Sequence, residues 1–436
     1  MTDHKAAFQR LASEAADGKY TRRQIIAGAL ALGLSAAAVN EILANATLAQ
    51  EATPSPAASP VAPTIVPIVG KEMTADDIAT AIESEGEVTV GNWTYTANDQ
   101  LVKRFQDYVK QTYGKDIKLN YEASQSPSTY LTALYTAVGA GEQSPYDVMA
   151  IEESYWAEAQ GQQKTQNTKL MEDYLPSPLI PNANRVVESF KHAPTAIAFQ
   201  ASATPGIVYH KDKAGYLADW KDLADDRLKG KLLMWMPGDI TGGGILLGLA
   251  GSLGYDYKNE DQMKQTIDFA ADKIGPNAIK YTADNSESQQ LFKSGVADVV
   301  TFWNSMGRQQ YLDGVQDAAF LIAASGQYMV NGYLWIPVKP KHPVLAQIFI
   351  DWRLSDDAQF PDIDAWGITK GAWSELQEGI LGPSYEGDIP DWFKDQYYNY
   401  YPTADQLKTK YKLVDWDYYG AHEKDWNDYW LQKIGL

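Results

Sequence analysis

Two neighbouring acids, Glu152 and Glu153, directly follow the apolar run Tyr146-Asp-Val-Met-Ala-Ile151, and a third, Asp239, precedes the run Thr241-Gly-Gly-Gly244. Carboxylates in such places can hold ammonium groups. Successive side chains on an extended segment point to opposite sides, so one of Glu152 and Glu153 is expected to face a ligand and the other solvent. Aromatic residues recur at comparable points, at the end of a predicted strand or in the loop after it: Trp93, Tyr95, Tyr155, Trp156, Trp303 and Tyr328. Such rings can flank a ligand's methylenes or its cationic head. A chain with 13 Trp and 27 Tyr also uses aromatics to build its core, so not every ring is a ligand contact. Thr241, Gly242 and the next two glycines open a predicted helix whose first N–H groups attract carboxylate, phosphate or phosphonate; close packing is the other use for the same glycines. The residues therefore allow an amine held by acids, an acid held by the helix start, or a zwitterion held by both.

The residues speak against most catalysis. There is no cysteine, which removes disulfides, thiolate metal sites and a thiol nucleophile. The five histidines (His4, His192, His210, His342, His422) are never spaced i, i+4, and no Gly-x-Ser-x-Gly or dinucleotide glycine motif occurs. No catalytic residue, metal or cofactor is expected. A secreted hydrolase using paired carboxylates, or a carbohydrate-binding surface protein, is the rival class, because acids are numerous and the segment from Tyr385 onward is rich in Tyr and Trp. With 37 Lys and Arg against 56 Asp and Glu the net charge is -19, which opposes binding to nucleic acid and to anionic membranes. A hydrophobic share of 45% over 436 residues predicts a large folded body of two domains or two lobes, and a monomer is expected.

These side chains need a scaffold that gathers strand ends. Strands are predicted at residues 87–93, 117–121 and 146–151, with helices at 99–113 and 128–138 between them, where Leu101, Phe105 and Val109 recur at helical spacing. This β-α-β-α-β order predicts a mostly parallel sheet covered on both faces, with ligands beyond the carboxyl ends of its strands. A second unit begins near Thr204, with strands expected within 204–209, 229–235, 278–282 and 298–303 and a helix from Thr241.

The first 49 residues read as an export signal. Residues 25–39 are uncharged, rich in Ala and Gly and too short to span a membrane comfortably, and Thr21-Arg22-Arg23-Gln24-Ile25-Ile26 stands before them. Arg22 and Arg23 resemble the twin-arginine motif; Ala46 and Ala49 are the candidate cleavage sites, Ala49 the favoured one, and the mature chain is expected to be extracytoplasmic. Residues 50–84 read as a Pro/Ala-rich linker.

Four groups of segments carry a family resemblance: Gly206-Ile-Val-Tyr-His-Lys-Asp212; Asp219-Trp-Lys-Asp-Leu223 with Lys229-Gly-Lys231; Leu291-Phe-Lys-Ser-Gly-Val-Ala-Asp298 with Phe302-Trp-Asn304; and Leu334-Trp-Ile-Pro337 with His342-Pro343 and Ala346-Gln-Ile-Phe-Ile350. In order and spacing they resemble the extracellular solute-binding proteins of bacterial ABC importers, and Asn92-Trp93-Thr94-Tyr95 is similar to the first-strand region of spermidine/putrescine-binding proteins. The resemblance implies a two-lobed α/β fold of the type II periplasmic kind, a hinge, a polyamine-like solute and a membrane permease as partner. Where the polyamine binders carry acids, at the start of the second-lobe helix and after the tryptophan matching Trp303, this chain has Thr241–Gly244 and Asn304-Ser305. That departure keeps an acid-bearing solute, such as an amino acid or amino-phosphonate held at Thr241–Gly244, as the alternative. The expected lobes are 85–202 with 305–350 and 203–304 with 351–436, joined near Ala201 and near Trp303. Trp392, Trp416, Trp426 and Trp430 are assigned to packing across the second lobe.

Overall fold

In the computed structural model the described residues are 64–66, 71–93, 99–124, 128–186, 188–200, 204–238, 240–359 and 400–435. All belong to one contact unit, Thr64–Leu436; the export-signal residues lie outside them. The strands are β1 Thr64–Val66, β2 Lys71–Met73, β3 Glu87–Trp93, β4 Lys118–Ser124, β5 Val148–Glu152, β6 Lys191–His192, β7 Ala196–Gln200, β8 Pro205–His210, β9 Leu232–Trp235, β10 Ala278–Thr282, β11 Val299–Trp303, β12 Ala318–Leu321, β13 Gln327–Met329, β14 Gly332–Trp335 and β15 Tyr411–Leu413. The helices of seven or more residues are α1 Ala75–Glu85, α2 Asp99–Tyr113, α3 Ser128–Gly139, α4 Glu153–Gln166, α5 Ile240–Ser252, α6 Glu260–Phe269, α7 Asn285–Lys293, α8 Asn304–Leu312, α9 Pro343–Arg353, α10 Ala404–Lys410 and α11 Trp416–Ile434.

Apolar periodicity makes these elements. Leu101, Phe105 and Val109 recur every fourth residue along α2 and are all buried, as are Val88 and Val90 on alternate positions of β3. Helix α1 has a local start signal: Thr74 Oγ1 accepts from the Asp77 N–H at 3.2 Å, while the Asp77 carboxylate accepts from the Thr74 N–H at 2.9 Å. It ends at Gly86 with φ 66°, a left-handed turn that glycine adopts without strain.

Two sheets organise the fold. The first has the order β4-β3-β5-β14-β7-β6, and the second β10-β9-β11-β8-β12. Within the first, β3 is parallel to β4 and β5, and β14 runs antiparallel between β5 and β7. The second repeats the pattern, with β9 parallel to β10 and β11 and with β8 antiparallel between β11 and β12. The expected two-lobed α/β architecture is therefore present. Among the described residues no helix is long and apolar enough to cross a membrane.

The lobes divide differently from the sequence expectation of 305–350 in the first lobe and everything from 351 in the second. After Trp303 the chain stays in the second lobe: α8 packs on β8 and β12, and β12 pairs antiparallel with β8, Ala318 opposite His210. The return to the first sheet comes between β12 and β14. Helix α9 packs on α1, α2 and β3 and so belongs to the first lobe through Arg353. Helix α1 also lies there, within the stretch read as linker. A buried hydrophobic run declares that it is covered, but only the strand edge it meets decides which sheet it joins.

Candidate functional site: an acidic, aromatic cleft

Each sheet delivers its third strand into a helix without an intervening loop. Glu152 ends β5 and is the N-cap of α4; Trp303 ends β11 and is the N-cap of α8. The two residues occupy equivalent positions in the two lobes, and both line one cavity of about 770 Å³. Its walls take Glu152, Ser154, Tyr155 and Glu158 from the first lobe, and Trp235, Thr241, Asn285 and Trp303 from the second. Helix α11 adds Trp416, Asp417, Tyr419 and Glu423.

The paired glutamates separate as strand geometry requires, but the second is not solvated. Glu152 lines the cleft, whereas Glu153 is 4% exposed. Its Oε1 lies 2.6 Å from His192 Nε2, and Asn331 Nδ2 donates to its Oε2 at 3.3 Å. The His192 ring stacks on Trp156 at 4.0 Å, which places Trp156 in this buried cluster and not on the cavity wall.

Trp303 is aimed by a hydrogen bond: its Nε1 donates to Thr241 Oγ1 at 3.1 Å, tying β11 to the start of α5. The glycines of that start are packing residues. A Cβ at Gly242 would stand 2.7 Å from the Met236 carbonyl, one at Gly243 1.9 Å from Tyr419 Oη, and one at Gly244 2.7 Å from Pro205 Cγ. Thr241 lines the cavity; Gly242 does not. Tyr328 is placed elsewhere. It lies on β13, which pairs with β15 and joins neither main sheet, and its ring meets Tyr257 edge-on at 5.4 Å with Lys412 Nζ 5.6 Å from its centre. Trp93 is described only as the last residue of β3, and Tyr95 and Asp239 lie outside the described residues.

Sequence reasoning missed Glu158, Trp235, Asp417, Tyr419 and Glu423 as wall residues, and it gave Trp416 a packing role alone. The spacing of 154, 157, 158 and 161 on α4 marks one helix face, as does 416, 419, 420 and 423 on α11. That signal could have found both stripes. The described lining includes four carboxylates, Glu152, Glu158, Asp417 and Glu423, and no Lys, Arg or His. Burial raises the Glu158 carboxyl above its ordinary value, partly offset by the hydroxyl of Tyr135. The arrangement can bind cationic groups between aromatic walls.

A two-lobed α/β body with a cleft at its strand ends is the architecture of periplasmic binding proteins. Residues 98–360 match the bacterial extracellular solute-binding proteins, and the chain belongs to that family. Membership places its work outside the cytoplasm, in a family of binding proteins. No curated protein sequence matches the chain. Solved structures show the same fold. An ABC transporter protein from Clostridium perfringens superposes with TM-score 0.57 at 20% identity, over 80% of this chain and 99% of that one. The spermidine/putrescine ABC transporter substrate-binding protein of Streptococcus pneumoniae gives 0.59 at 19%, over 80% and 98%. The periplasmic binding protein AgtB of A. tumefaciens, in complex with agropinic acid, gives 0.54 at 16%, over 80% and 99%.

Proposed function

We propose that the protein is the solute-capturing component of an ABC importer and that its solute is a polyamine-like amine. The observation that carries this reading is the cleft lining: four carboxylates and the rings of Tyr155, Trp235, Trp303, Trp416 and Tyr419, with no basic side chain among the described lining residues. A cation there gains charge-assisted hydrogen bonds and ring contacts, while an anion meets repulsion. The glycines at the start of α5 are accounted for by close packing, so they give no separate support to an acid-bearing solute. The connections from β7 to β8 and from β12 to β14 pass between the lobes and serve as hinge segments. A solute touching both lobes favours closure, and the closed form is what the permease recognises. Export runs through Arg22 and Arg23 by the twin-arginine route.

A thermal-shift screen of the mature chain against amines, amino acids, phosphonates and sugars tests the reading, since a ligand raises stability by mass action. Putrescine or spermidine is expected to raise the melting temperature. Stabilisation by sugars alone, or by acids alone, overturns the amine reading.

A further inference from the structure

In each lobe the residue that follows a cleft residue is fastened to the end of a connection between the lobes. In the first lobe Glu152 stands opposite Gly332, the first residue of β14. The Glu153 N–H donates to the Asn331 carbonyl at 2.9 Å, and Glu153 Oε2 accepts from Asn331 Nδ2 at 3.3 Å. In the second lobe Trp303 stands opposite Pro205, the first residue of β8. There the Asn304 N–H donates to the Thr204 carbonyl at 3.1 Å, and the Thr204 N–H donates to Asn304 Oδ1 at 3.2 Å. Asn331 and Thr204 are the last residues before β14 and β8, so each lobe grips a hinge segment one residue away from its cleft wall. Thr204, Asn304 and Asn331 are fully buried and Glu153 nearly so. Polar groups at such depth hold their partners firmly, because leaving one unpaired is costly.

The two connections are also tied to each other. Thr204 Oγ1 lies 2.7 Å from the Tyr328 carbonyl and 3.2 Å from the Pro205 carbonyl, and its single proton serves the nearer acceptor. Tyr328 is held on the side of the second lobe, since β13 packs on α5 and pairs with β15. Only Met329 and Val330 separate Tyr328 from Asn331, which is held on the first lobe, and both are buried.

We propose that Met329 and Val330 are the pivot of the β12–β14 connection and that Thr204 and Asn331 are positioning residues that confine it, one anchor on each lobe. Losing either anchor adds residues to the pivot. More relative orientations of the lobes then become accessible, and the one arrangement that encloses a solute is less populated. Tyr328 thereby enters solute capture through its backbone carbonyl and not through its ring. The proposal rests on the reading of closure about a hinge and is independent of which solute is bound.

Spin labels on the two lobes test it. The chain has no cysteine, so Gln111→Cys on α2 and Gln265→Cys on α6, both exposed, report the interlobe distance in the full mature chain. In the ligand-free protein Thr204→Val keeps the β-branched shape and removes the donor, and it is expected to broaden the distance distribution. Thr204→Ser keeps the donor and is expected to retain the distribution of the unaltered chain. Asn331→Ala, which removes the side-chain bond to Glu153, is expected to broaden it as Thr204→Val does. Ser177→Ala removes a buried hydroxyl bond to Gln347 within the first lobe, controls for general destabilisation, and should leave the distribution unchanged. Apparent putrescine affinity should fall about two- to tenfold in Thr204→Val and Asn331→Ala, the scale of one hydrogen bond. An unchanged distribution in Thr204→Val, or one broadened equally by Thr204→Ser or Ser177→Ala, overturns the anchors. If neither putrescine nor spermidine binds the unaltered chain, the amine reading fails while the ligand-free distributions still decide the anchors. If an amine binds without shortening the distance, hinge closure fails and the pivot with it.

Discussion

Glu152 and Glu153 are adjacent carboxylates that β5 and α4 send to opposite environments, Glu152 into the cleft and Glu153 into a buried cluster with His192 and Asn331. Their substitutions should therefore differ in kind. Glu153→Leu strands buried polar partners and is expected to cost about 1 to 3 kcal/mol of stability, read from denaturant midpoints. Glu152→Gln is expected to shift that midpoint little while weakening amine binding. Equal destabilisation by both would contradict the separation.

Gly243 admits Tyr419 and thereby seats the start of α11. A methyl group there collides with the tyrosine hydroxyl, so Gly243→Ala is expected to lower stability by roughly 1 to 3 kcal/mol. Pairing it with Tyr419→Ala should recover part of the loss, because the clash has gone. Non-additivity in that double-mutant cycle is the measurement.

Trp303 presents its ring to the cleft with its N–H held by Thr241. Removing the ring by Trp303→Ala should weaken amine binding by about 1 to 3 kcal/mol. Thr241→Val keeps the shape and removes the acceptor, so a smaller loss of affinity is expected. An affinity unchanged by Trp303→Ala would remove this ring from the site.

Glu85, which is not among the cleft-lining residues, supplies a pH signature. Its two carboxylate oxygens accept the Val344 and Leu345 N–H groups at 3.0 and 2.8 Å, capping α9. Burial pushes its pKa up to about 7 against those bonds and the favourable charge of His342, with Asp147 adding to the rise. The folded state therefore holds this proton more tightly than the unfolded chain. Its contribution is fully present below about pH 4.5 and is lost as pH rises through about 7, an effect of up to about 3 kcal/mol. Unfolding free energies at pH 5 and pH 8 should show this fall in the unaltered protein and a smaller one in Glu85→Gln.

Local pattern alone made much of the scaffold legible. Apolar spacing marked Asp99–Tyr113 as a helix and Ala278–Thr282 as a strand, and both boundaries stand in the structure. The same spacing placed Glu152 and Trp303 at strand ends, where α/β sheets receive ligands. Helix α1 was missed although Thr74 and Asp77 stand at capping-box spacing ahead of Ile78 and Ile82, because the Pro-rich stretch before it dominated the composition.

Tertiary structure decided what local pattern cannot carry. The burial of Glu153 depends on His192 and Asn331, which come from distant parts of the chain. The apolar run Ala318–Leu321 had two sheets to join, and only backbone pairing with β8 settled the choice. Trp416, Tyr419 and Glu423 read only as part of a Tyr- and Trp-rich tail; docking of α11 on α6 made them a wall of the same cavity as Glu152, more than 260 residues earlier. Periodicity reports that a face is covered because burial is non-directional, whereas the partner that covers it is selected by shape, hydrogen bonding and charge assembled across the whole fold.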